Sequence, residues 1–234
     1  MGSDDFFWTK KRGKLKRKSS LNKTYKNSIL IVCEGEKTEP NYFNKFPTSN
    51  VVVKTVGSGM NTVSLVDYAV QKWQEYAAEE KYFENLWCVF DKDSFPVEQY
   101  NKAFESIPIH QKRLNKRFKK NAGRFIEIKS AHTNEAFELW YLLHFDCIDI
   151  GLSRNQYKSM LSTRMGKKYK KNDPEMYQFL ENLAIQTNGR QGQAFAIKNA
   201  TKLKENIPEN QLHNQNPSTN VDILVGLLNE HIKT

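Results

Sequence analysis

Five carboxylates fall in two short stretches of the same form. Glu34-Gly-Glu-Lys-Thr-Glu39 follows the apolar run Ile29–Cys33, and Asp91-Lys-Asp93 follows Leu86–Phe90. Carboxylates gathered in one place repel one another, and a hard, oxygen-loving divalent cation removes that repulsion. Mg²⁺ or Mn²⁺ is the natural choice. A cation held this way activates water and stabilises charge on a phosphate in transit. Glu34, Glu39, Asp91 and Asp93 are therefore candidate ligands, with Glu34, Asp91 and Asp93 the candidate catalytic set. In a second assignment Glu34 is a general acid or base while the two aspartates hold the metal. Either motif alone is weak, because acidic turns are common. The pair, each directly after an apolar strand, carries the argument.

Other residues join with less force. Glu138 lies among Phe137, Leu139 and Trp140, where burial without a partner is costly. It reads as a metal ligand or as half of a salt bridge. Glu135 reads as a favourable charge near a helix start. Lys37 and Lys92, inside the acidic motifs, suit phosphate or merely neutralise their neighbours. Arg190 follows Asn188-Gly189 in a turn suited to a phosphate contact. Lys112, Arg113, Lys116, Arg117, Lys119 and Lys120 lie within ten residues and form the best basic patch of the body.

These residues need elements to position them. Ser28–Cys33, Asn50–Val56, Leu86–Phe90 and Arg124–Lys129 read as strands. Helices are expected from Glu39 to Phe46 with Thr38 as cap, from Asn61 to Lys81, from Pro96 to a stop at Pro108, and from Asn134 to Phe145. That alternation predicts an α/β fold with a mainly parallel sheet of about four strands, whose ligands collect beyond the strands' carboxyl ends. Glu34 and Asp91 fall at two such ends. After Asp149 the pattern is helical: Gln156–Leu161, Pro174–Leu183, Gln193–Asn206 and Asn220–Ile232. A basic link, Arg164–Lys171, joins the first two. Ser218 or Thr219 is the expected cap of the last. The expected organisation is a basic, disordered arm at 1–26, an α/β core at 27–150, and a helical extension at 151–234 packed on it.

The net charge is +10. Residues 1–26 hold nine Lys/Arg and two Asp/Glu, so most of the excess sits in the arm. Such an arm suits nucleic acid, or simply a solvated tail. No apolar run reaches membrane-spanning length and no secretory layout opens the chain, so a cytoplasmic protein is expected. Cys33, Cys88 and Cys147 form no CxxC pair and read as free thiols. No Walker-type glycine loop is present, so ATP hydrolysis would need a partner chain.

In order, Leu30-Ile-Val-Cys-Glu-Gly-Glu-Lys-Thr-Glu-Pro-Asn-Tyr-Phe43, Val89-Phe-Asp-Lys-Asp93, Glu135-Ala-Phe-Glu-Leu-Trp-Tyr-Leu-Leu-His-Phe145 and Asn216-Pro-Ser-Thr-Asn-Val221 resemble the blocks of the RloB-like family. The chain departs from the family form before the third block, reading His132-Thr-Asn-Glu135 where Ser-Asn-Pro is usual. The resemblance implies a Toprim-like, Rossmannoid core, with Glu34 after the first strand and Asp91 and Asp93 after a later one. It also implies a Mg²⁺- or Mn²⁺-dependent nuclease acting on RNA, such as tRNA, or DNA in bacterial phage defence by abortive infection, beside an ABC- or AAA-type ATPase. The alternative is a Toprim-like sensor that binds nucleic acid or nucleotide and regulates that ATPase. Primase-like and topoisomerase-like chemistry fit the chain length poorly.

Overall fold

A computed structural model describes residues 28–48, 53–59, 62–92, 96–122, 125–205, 207–208 and 214–232. The basic arm and Asp93 lie outside the described residues. Strand β1 (Ile29–Cys33) is buried at every position, as suits an apolar run covered on both faces. It pairs in parallel with β2 (Val53–Gly57) on one side and β3 (Asn85–Asp91) on the other. Strand β3 pairs in parallel with β4 (Glu127–Asn134).

A fifth strand, β5 (Ser218–Thr219), joins antiparallel to β4, giving the order β2-β1-β3-β4-β5. The expected four strands thus become five. Ser218 and Thr219 serve as sheet edge rather than as helix cap, because polar groups of β4 claim this segment. Thr219 Oγ1 donates to the His132 carbonyl at 3.0 Å. The Asn220 side chain accepts from His132 N–H at 2.6 Å and donates to the Ser130 carbonyl at 2.9 Å.

Period-two alternation divides the side chains between two layers. Ile29, Ile31, Cys33, Trp87 and Val89 enter one core. It is closed by α1 (Thr38–Phe43), α4 (Glu138–Leu143), α5 (Arg154–Met165), α6 (Met176–Gln186), α7 (Gln193–Lys204) and α8 (Val221–Asn229). Leu30, Val32, Leu86, Cys88 and Phe90 enter the other, beneath α2 (Thr62–Ala78) and α3 (Val97–Ala122). Cys33 and Cys88 are buried thiols, one in each layer. Among the described residues no helix is long and apolar enough to cross a membrane.

Four elements depart from expectation for physical reasons. Helix α3 does not stop at Pro108 but continues to Ala122. Its second half is anchored by buried Leu114 and by Asn115, which pairs with both the N–H and the carbonyl of Ile126. Those contacts outweigh the one helical bond that proline removes. Strand β4 runs to Asn134, five residues past the expected end at Lys129, because Thr133 and Asn134 pair with β5. The helix expected from Asn134 therefore begins only at Glu138. Thr38 lies inside α1 and does not cap it; its hydroxyl donates to Asn172 Oδ1 at 2.5 Å.

Candidate active site

The chain leaves β1 for β2 on one side, then crosses back to β3 on the other. The carboxyl ends of β1 and β3 therefore flank the point where the strand order reverses, the usual place for a ligand crevice. Glu34 and Asp91 stand there. The Glu34 N–H donates to the Val89 carbonyl at 2.8 Å, and its carbonyl accepts the Gly59 N–H at 2.9 Å. Its side chain turns to β3, where Oε2 accepts the Asp91 N–H at 3.1 Å. Glycines make this crowding feasible. A Cβ on Gly35 would overlap the Glu39 carboxylate, and one on Gly57 would meet the Glu36 backbone at 2.7 Å.

Beyond these strand ends opens a cavity of about 280 Å³ lined by Gly35, Glu36, Lys37, Thr38, Glu39, Asp91, Phe137, Glu138, Arg154, Lys171 and Asn172. Glu39 is 5% exposed and Glu138 3%. Asp91 Oδ2 accepts the Phe137 N–H at 3.1 Å and lies 3.7 Å from Arg154 Nη2. Glu138 Oε1 accepts the Tyr169 hydroxyl at 3.4 Å. Glu39 Oε2 is buried with no hydrogen-bond partner.

The acids feel one another. Burial raises the Glu39 pKa to about 7, and the Glu138 charge adds to the rise. Burial likewise pushes Asp91 well above the usual carboxylate range, reinforced by Glu39, Glu138 and Glu34. Arg154 and Lys171 oppose the shift at Glu39 without cancelling it. The cavity thus disfavours its own negative charge.

The donors suit a hard divalent cation in kind: all are carboxylate oxygens, and Glu39 offers one with no other occupation. Among the described residues, no three His, Cys, Asp or Glu side chains are already drawn to metal-ligating spacing.

The fold sorts the residues singled out in the sequence. Glu39, Asp91, Glu138 and Lys37 come together in the lining, and Glu34 braces Asp91 from beside it. Lys92 is half-buried, its N–H donating to the Thr133 carbonyl at 2.9 Å. Glu135 precedes α4 and is not part of it. Lys112, Arg113, Lys116 and Arg117 are exposed on the second half of α3. There Gln111 Oε1 accepts the Ile128 N–H at 2.7 Å, beside the start of β4. Asp91 pairs in register with Thr133, at the far end of that strand. At about 3.3 Å per residue, this basic patch lies roughly 17–23 Å along the sheet from the cavity. Arg190 lines a separate pocket with Phe145, Gln186, Thr187, Asn188 and Gln191. His144 is fully buried, its Nδ1 2.9 Å from the Trp140 carbonyl, and burial lowers its pKa to about 4.

Arg154, Lys171 and Asn172 are the lining residues that sequence patterns do not reveal. Lys171 ends the basic link after α5. Arg154 follows Ser153, whose hydroxyl caps α5 in a reciprocal box with Gln156. Only that Ser-x-x-Gln signature marks its position.

The family model described as RloB-like protein matches residues 29–228. No curated protein and no solved structure matches the chain.

Proposed function

Because this chain belongs to the RloB-like family, we propose that its acidic cavity is the active site of a Mg²⁺- or Mn²⁺-dependent nuclease with a Toprim-like core. The observation that carries this reading is the buried Glu39 carboxylate, whose Oε2 has no hydrogen-bond partner, gathered with Asp91 and Glu138 in one cavity at the sheet's crossover. Glu39, Asp91 and Glu138 would hold the cation, with Asp93, two residues after Asp91, a further candidate. Once bound, the metal supplies an activated water and charge stabilisation for phosphodiester hydrolysis.

The chain's own residues do the rest. Glu34 fixes the Asp91 backbone, and the Phe137 N–H orients its carboxylate. Tyr169 orients Glu138. Lys37 offers charge to the phosphate. The proposed substrate is nucleic acid, RNA or DNA, and the proposed setting, which rests on the family resemblance, is antiviral defence beside a separate ATPase.

A second reading, a nucleic-acid or nucleotide sensor that regulates that ATPase, draws support from Arg154. Its guanidinium already lies 3.7 Å from the Asp91 carboxylate.

Cleavage of RNA and DNA with Mg²⁺ or Mn²⁺, with chelator and with Asp91→Asn and Glu39→Gln, separates the two. Groups that merely support a metal's ligands are worth 10–100-fold, so loss of a ligand should lower the rate by about 100-fold or more while circular dichroism stays unchanged. Binding without any product, with the ATPase present, would favour the sensor. Wild-type rates in both variants would contradict the site assignment.

A further inference from the structure

We infer that the segment between α5 and α6, residues 166–172, together with Arg154, is the surface that holds the phosphodiester backbone of the nucleic acid over the acidic cavity. The inference rests on the nuclease reading and names where its substrate lies.

The segment is built into the site at two points. Tyr169 is buried; its N–H donates to Ser162 Oγ at 3.0 Å and its hydroxyl reaches Glu138 on one side of the cavity. Asn172, in the left-handed conformation at φ 66°, takes the Thr38 hydroxyl on Oδ1, and its carbonyl accepts from Asn41 Nδ2 at 3.1 Å. That pins the strap to α1 on the other side. Between the pins sit Lys170 and Lys171, with Lys167 and Lys168 just before, all exposed. Lys171 lines the cavity itself.

Charge gives the ligand. The lining carries four acids (Glu36, Glu39, Asp91, Glu138) and three bases (Lys37, Arg154, Lys171). The three bases stand beside the carboxylates that would hold a cation, where a phosphodiester drawn to that cation meets opposite charge. Cations outside the lining, at Lys167, Lys168 and Lys170, continue the track for neighbouring phosphates. The patch on α3 lies by the opposite end of the sheet and offers no such continuity.

The test measures binding of labelled, mixed-sequence single-stranded RNA and DNA by full-length Asp91→Asn protein, which removes cleavage. Into it are placed either Lys167→Ala, Lys168→Ala, Lys170→Ala and Lys171→Ala together, or Lys112→Ala, Arg113→Ala, Lys116→Ala and Arg117→Ala together. The strap variant should bind at least about tenfold more weakly, and its log–log salt slope should be shallower by about 3, at 0.7 per lost contact on single strands. The α3 variant should stay within about twofold of its parent. Whichever nucleic acid binds more tightly identifies the sugar chemistry preferred. A strap variant that binds like its parent overturns the inference and leaves the nuclease reading standing. A parent that binds neither nucleic acid overturns both.

Discussion

Glu39 sits folded at a pKa of about 7 against 4.5 for an unperturbed glutamate, because burial penalises its charge. An acid raised on folding stabilises the protein below its unfolded pKa and loses that stabilisation as pH climbs toward the folded value. Metal-free protein should therefore lose about 3 kcal/mol of stability between pH 4.5 and about 7 on this group's account. The urea midpoint, followed from about pH 5 to about pH 8, checks the sign, and Glu39→Gln should flatten the profile. An unchanged slope in Glu39→Gln would contradict it. Mg²⁺ should raise the midpoint most at the alkaline end, where the acids are charged. Glu34, Glu39 and Asp91 were legible in the sequence because each ends an apolar strand or opens the next helix. Arg154 and Lys171 were not, since a cation in a polar segment looks the same whether it faces solvent or a cavity.

Element by element, the acidic turn and the α5 start bear most of the positioning. Gly35→Ala would force the Glu39 carboxylate aside, a flexible group that yields easily. Activity should fall steeply while stability changes by less than about 1 kcal/mol, read by pairing cleavage rates with urea unfolding. Gly57→Ala meets backbone instead, so it should cost more than about 2 kcal/mol. Ser153→Ala removes the α5 capping box and should cost about 1 kcal/mol, with a further loss of activity through displaced Arg154. Strands β1 and β3 and the helices after Asp149 could be read from apolar runs, which tertiary packing reinforces, whereas β4, mostly polar after Ile128, was legible only at its start. The length of α3 could not, because the contacts that carry it past Pro108, Asn115 to Ile126 and Gln111 to Ile128, join residues with no shared sequence period. The place of β5 was hidden for the same reason: two residues carry no periodicity.

On the scale of the whole molecule, the helical residues after Asp149 share one core with the sheet. Val221, Leu224, Val225 and Leu228 are fully buried in the layer that holds Ile31, Trp87 and Trp140. Removing everything after Pro217 would forfeit about 6–12 kcal/mol of apolar burial, at about 1.5–3 per side chain, comparable with the entire stability of a domain. The truncated chain should fail to unfold cooperatively, and a sharp transition near the wild-type midpoint would refute this. Above all, the carboxylates at the sheet's crossover are proposed to hold a metal that cuts nucleic acid. The decisive experiment is cleavage of total RNA and of single-stranded and plasmid DNA by the purified chain, with and without the proposed ATPase partner, in Mg²⁺ or Mn²⁺. Metal-dependent products should form and should vanish with chelator and with Asp91→Asn. Products that persist in both, or none in any wild-type lane while nucleic acid still binds, would contradict that proposal.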